Sequence, residues 1–188
     1  MDTLNHFFSR AFEPVEKHVQ LPPGINTKPE TILEVLHNHN LLVQNLFPSF
    51  AIKFIKYAPA TTIFVLEIST ESFHFQKKVT FSSFNDGVFV LEKLKLSRTS
   101  YQTCWTVTKT TTTPEQYFLR ETFTASGDDI SNIFYRFSDG YHRNTQYLVD
   151  FLGQIATGKA SMSDFKRVQV TSSEQQCVNA AKLKSDWW

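Results

Sequence analysis

The chain has 188 residues, 41% hydrophobic and 20% charged, which fits one packed domain with at most a tail and excludes wholesale disorder. Nineteen Lys and Arg against eighteen Asp and Glu leave a net charge of +1, so no global positive field exists to hold a phosphate backbone and nucleic acid is not an expected partner. Cys104 and Cys177 are too few for a disulfide scaffold or a cysteine-built zinc site, whereas 18 Phe set a large, rigid apolar surface to bury.

Met1–Phe8 has no basic n-region and no apolar run of signal-peptide length. No stretch reaches the ~18 consecutive apolar residues of a membrane span. The expectation is a cytoplasmic chain with free thiols and no stable membrane insertion, either monomer or homodimer. An arm over 1–14, one domain over 15–158 and a tail over 159–188 are expected. The terminal Trp187-Trp188 either docks back or meets a second chain.

In chain order, Val15–Leu21 reads as a short strand stopped by Pro22-Pro23-Gly24. Thr27 is the expected N-cap of a helical segment, with Pro29 in its first turn and Glu30 at the capping-box position. Ile32, Val35, Leu36, His39, Val43 and Leu46 continue it at helical spacing up to Pro48. From Phe50 to Ala125 the period changes to two, in about six strands with short connections. Phe50, Ile52 and Phe54 alternate in the first of these. A tight hairpin is expected around Phe84-Asn85-Asp86-Gly87, with Asp86-Gly87 as its two-residue loop, and a second at the Thr-rich turn ending in Pro114. Asp128 and Asp129 open a helix of about seven turns whose apolar stripe runs from Ile130 to Ile155, stopped by Gly158. Arg143 and Gln146 fall on its polar side.

A curved antiparallel sheet, a helical segment between its first two strands and one long C-terminal helix bury one another most economically with the helix laid across the concave face. That is an α+β helix-grip architecture of six to seven strands, and a helix spanning a bent sheet tends to leave a cavity suited to a ligand. The element order resembles the START-related, birch-pollen-allergen-like superfamily. More narrowly, His18-Val19-Gln20-Leu21-Pro22-Pro23-Gly24, Glu30-Thr31 and Leu36-His37-Asn38-His39 are similar to the opening of a filamentous-fungal family of unknown function, and Tyr117-Phe118-Leu119-Arg120-Glu121 to a late-strand motif of it. The wide superfamily implies a hydrophobic small molecule or lipid in the cavity. In some branches it implies cyclisation, isomerisation or dehydration without a cofactor.

Facing arguments select the candidate residues. With Asp86-Gly87 as the loop, Phe81 pairs with Glu92 and Val79 with Leu94, so Phe73, Phe75, Lys77, Val79 and Phe81 share the buried face with Val88, Val90, Glu92 and Leu94. In a symmetric second hairpin Trp105 pairs with Leu119, Thr103 with Glu121 and Tyr101 with Phe123, which puts Glu121 on the face of Tyr101, Trp105, Tyr117, Leu119 and Phe123. A one-residue slip would instead bring in Phe118 and Arg120. Glu92 and Glu121 are thus candidate acid–base groups in apolar surroundings. The competing reading is that they reach water or pair with Lys77 or Arg120.

On the long helix, Tyr141 and Thr145 fall mid-stripe, with hydroxyls suited to a ligand or, for Tyr141, to proton transfer; Asn144 lies on the flank. The bland alternative is a hydroxyl bonded to backbone. His39, on the inner side of the first helical segment, is a candidate acid–base group or a satisfied core histidine. His37-x-His39 alone makes no metal site, and none is expected. Phe75, Phe81, Tyr101, Trp105, Tyr117, Phe123, Phe134 and Phe137 are the expected aromatic walls. The leading reading is a cofactor-independent cyclase or isomerase of secondary metabolism; the others are a lipid or metabolite carrier without chemistry, and a scaffold with no ligand whose 18 Phe close the interior.

Overall fold

The computed structural model describes residues 10–11, 13–71, 73–95, 99–111, 115–127 and 142–162. Among them, β1 (Arg10–Ala11), β2 (Val15–Gln20), β3 (Ala51–Ala58), β4 (Thr61–Ser69), β5 (His74–Phe84), β6 (Gly87–Leu94), β7 (Ser100–Lys109) and β8 (Tyr117–Gly127) form one antiparallel sheet. The β3-to-β8 meander is consecutive in space, as short connections require. β1 and β2 both lie along the outer edge of β8, β1 against Ser126–Gly127 and β2 against Phe118–Phe123, so the sheet is seven strand positions wide.

The helical segment is two helices, α1 (Pro29–His37) and α2 (His39–Leu46). Asn38 breaks them, with φ −87° and ψ 82°, and its side chain accepts from the Leu41 N–H at 3.1 Å, capping α2. Thr27 does not cap α1: Lys28 holds the N-cap position and makes no side-chain cap bond. α3 (His142–Ala156) lies within the stretch expected as the long C-terminal helix, whose expected beginning at Asp128 lies outside the described residues, and buries Thr145, Leu148, Phe151 and Leu152. Leu148, Phe151 and Leu152 join Ile32, Leu36, Leu42, Phe64, Phe81, Val90 and Trp105 in one core between helices and sheet.

Both hairpins differ from the expected register by two residues. Asn85-Asp86 is the first loop and Phe84 pairs with Gly87, so Phe81 faces Val90 and Val79 faces Glu92. The reason lies at Gly87: a Cβ there would collide with the Trp105 carbonyl, so this glycine serves close approach of β7 rather than the turn. In the second hairpin Trp105 faces Glu121, Thr103 faces Phe123 and Tyr101 faces Ala125. A slip of two leaves every side chain on its expected face, so Lys77, Glu92 and Glu121 all point inward. In β3 the alternation fails: a bulge between Ile52 and Phe54 places Ile55, not Phe54, with Phe50 and Ile52 against the core.

Candidate functional site

Three neighbouring strands and two helices converge on one end of the sheet. β5 supplies Phe75 and Lys77, β6 supplies Glu92 and Leu94, and β7 supplies Tyr101. The α2–β3 connection adds Phe47, Pro48, Ser49 and Phe50, and the first described turns of α3 add Arg143, Asn144 and Tyr147. Together with Leu46 they line a cavity of about 500 Å³ that opens to solvent. Pro48 stops α2 and the chain folds back into β3, which brings Phe47 and Phe50 over the sheet instead of into solvent.

The polar wall of this cavity is a connected unit. Lys77 Nζ donates to Glu92 Oε2 at 2.8 Å, and both side chains are about nine-tenths buried. Asn144 Nδ2 donates to Glu92 Oε1 at 3.1 Å, so α3 reaches across to the same carboxylate. The Lys77 ammonium also sits 3.8 Å from the Phe47 ring centre and 4.7 Å from that of Phe50, where the ring faces stabilise a cation. Burial, and next the charge of Glu92, push the Tyr101 phenol up, so it stays protonated and able to donate at neutral pH.

Glu121 belongs to a second polar unit, one strand beyond β7. It is fully buried. Its Oε2 meets His142 Nδ1 at 2.8 Å, and its Oε1 accepts from Thr145 Oγ1 at 2.5 Å. Trp105 Nε1 in turn donates to Thr145 Oγ1 at 2.8 Å, which commits the threonine proton to the carboxylate. These residues do not line the cavity.

His39 is buried and bonded through both ring nitrogens, Nδ1 to Thr62 Oγ1 at 2.9 Å and Nε2 to Ser83 Oγ at 2.8 Å. Burial, with His37 as the lesser cause, lowers its pKa to about 4. Its ring stacks on Phe81, outside the cavity lining. His37 Nε2 donates to the carbonyls of Phe84 and Gly87 at 2.9 and 3.2 Å, tying α1 to the first hairpin.

Of the candidates named from sequence, the cavity therefore gathers Glu92, Lys77, Phe75, Tyr101 and Asn144. Phe81, Trp105 and Phe123 are buried elsewhere in the interior, Phe123 stacked on Tyr101 at 6.3 Å, and Tyr117 packs at the core margin. Tyr141, Phe134 and Phe137 lie outside the described residues. Sequence reasoning missed Phe47, Phe50, Arg143 and Tyr147 as lining, and His142 as the partner of Glu121. Arg143, placed on the polar side of its helix by periodicity, is exposed and borders the cavity because the pocket lies along the flank of α3.

No family model matches the chain, and no curated protein matches it either. Solved structures do. The di-domain ARO/CYC StfQ from the steffimycin biosynthetic pathway aligns with TM-score 0.53 at 14% identity, over 82% of this chain and 54% of that one. Norcoclaurine synthase from Thalictrum flavum, in complex with dopamine and hydroxybenzaldehyde, aligns with TM-score 0.51 at 13% identity, over 86% and 95%. Ara h 8.0201 aligns with TM-score 0.51 at 7% identity, over 77% and 97%. At these identities the likeness shows the shared fold, a curved antiparallel sheet gripping a C-terminal helix in the birch-pollen-allergen-like manner.

Proposed function

We propose that the chain binds a hydrophobic small molecule in the cavity beside Glu92 and cyclises or isomerises it without a cofactor. One observation carries the reading: a carboxylate, an ammonium, a phenol and an amide meet in one cavity of about 500 Å³ whose lining also carries Phe47, Phe50 and Phe75. Glu92 is the acid–base group. Lys77 and Asn144 hold its two oxygens in a fixed orientation, and Tyr101 donates to a substrate oxygen as charge develops there. Phe47, Phe50 and Phe75 confine the substrate conformation, so part of the rate comes from restricted freedom. Glu121, held by His142 and Thr145, seats α3 against the sheet and does not meet the substrate. Some proteins of this fold carry synthase or ARO/CYC in their names, which agrees with such chemistry at the level of fold.

A second reading has its own support: both Glu92 oxygens are already hydrogen-bonded, the arrangement of a carrier that holds its ligand unchanged. Native mass spectrometry of the chain purified from its host identifies the bound compound, and incubation with that compound or its open-chain precursor reads turnover. Catalysis predicts that Glu92→Gln retains binding and loses about a hundredfold or more in rate. Wild-type turnover by that variant contradicts the acid–base role, and an unchanged ligand with the wild-type chain establishes the carrier.

A further inference from the structure

The cavity is not electrically neutral. Among the described residues its lining holds two cations, Lys77 and Arg143, against one carboxylate, Glu92. The charge of Glu92, though not its capacity for proton transfer, is compensated by Lys77 at 2.8 Å in a site screened from water. Among the described lining residues Arg143, on the exposed rim, is the charge left over.

The charged groups left to a ligand are donors, beside the mixed donor and acceptor groups of Asn144, Ser49, Tyr101 and Tyr147. An ammonium carries three N–H groups and Glu92 takes one from Lys77; an amide carries two and Glu92 takes one from Asn144. The guanidinium of Arg143 only donates. The faces of Phe47 and Phe50 that would attract a ligand cation already look onto the Lys77 ammonium. Phe50 and Phe75 meet at 63° with ring centres 6.2 Å apart and both line the cavity, while Phe73 stacks on Phe75 at 6.1 Å.

We propose that this cavity selects a flat aromatic molecule bearing an anionic oxygen, a carboxylate or ionised enol or phenol, with its oxygen toward Arg143 and Lys77 and its rings against Phe50 and Phe75. The inference rests on the cavity reading above and adds the charge class of the ligand. An amine of the same shape meets two cations and a carboxylate already neutralised.

Isothermal titration of the full chain with 2-naphthoate, 2-naphthamide and 2-(aminomethyl)naphthalene at low salt separates the cases. The naphthoate binds about fivefold or more tighter than the amide, and the amine binds weakest. Arg143→Gln brings naphthoate and amide within about twofold, while Lys56→Gln, at an exposed residue outside the lining, leaves the preference unchanged. An amine that binds as tightly as the naphthoate overturns the proposal, as does an Arg143→Gln variant that keeps the full preference. If all three bind alike, the cavity stands as a ligand site and the charge selection alone falls; if none binds, both fall.

Discussion

Asn144 and Thr145, neighbours on α3, grip two different buried carboxylates. Asn144 Nδ2 reaches Glu92 Oε1 on β6 at 3.1 Å, and Thr145 Oγ1 reaches Glu121 Oε1 on β8 at 2.5 Å. One turn of helix is thereby pinned at two points of the sheet with β7 between them. The same turn forms part of the cavity wall, so sheet polarity, helix placement and the shape of the ligand site are one arrangement.

The two grips differ in weight. Thr145→Val strands a fully buried glutamate oxygen and the indole N–H of Trp105 together, and is expected to cost about 2–4 kcal/mol. Asn144→Ala leaves Glu92 its lysine and is expected to cost about 1 kcal/mol. Urea unfolding of the two variants checks the order.

Lys77→Met leaves a nearly buried carboxylate without its cation, an expected loss of about 3–5 kcal/mol. Adding Glu92→Met removes the stranded charge and is expected to return most of that loss, because two desolvated ions are replaced by apolar volume. A double-mutant cycle in denaturant measures both. The double variant folds and, with Arg143 still in the lining, keeps most of the naphthoate preference.

His39 ties stability to acid. Its folded pKa of about 4 lies below the ordinary 6.5, so the unfolded chain takes up the proton first as pH falls. Its contribution is complete above pH 6.5 and is lost progressively toward pH 4, on the order of 3 kcal/mol in all. The pH dependence of urea midpoints in wild type and His39→Gln tests this; the substitution removes that part of the slope.

Gly87→Ala drives a methyl group into the Trp105 carbonyl and is expected to cost about 1–3 kcal/mol with some displacement of β7. Thermal unfolding reads the loss, and amide exchange in Trp105–Val107 reads the displacement.

Alternation along the strands was enough to place Lys77, Glu92 and Glu121 inside, because errors of two residues in both hairpins preserve the faces. What alternation does not carry is any event that changes the period. The bulge at Lys53 exchanges Phe54 for Ile55, and the break at Asn38 divides one expected helix into two. Nor does it carry meetings between distant elements. Glu121 finds His142, and Lys77 finds Phe47, only once α3 and the α2–β3 connection have been laid on the sheet. Arg143 and Tyr147 line the cavity for the same reason: helix periodicity distinguishes the core from its opposite side but not the flank that borders a hollow.

Occupation of the hollow beside Glu92 by a ligand is read most directly by NMR titration of the labelled chain with 2-naphthoate. Saturable shifts are expected in the Asn144 side-chain amide and in the backbone of Phe50, Leu94 and Tyr101, with His39 and Phe81 unmoved. Absence of any saturable shift at Asn144 and Tyr101, or shifts confined to residues outside the lining, would contradict the account.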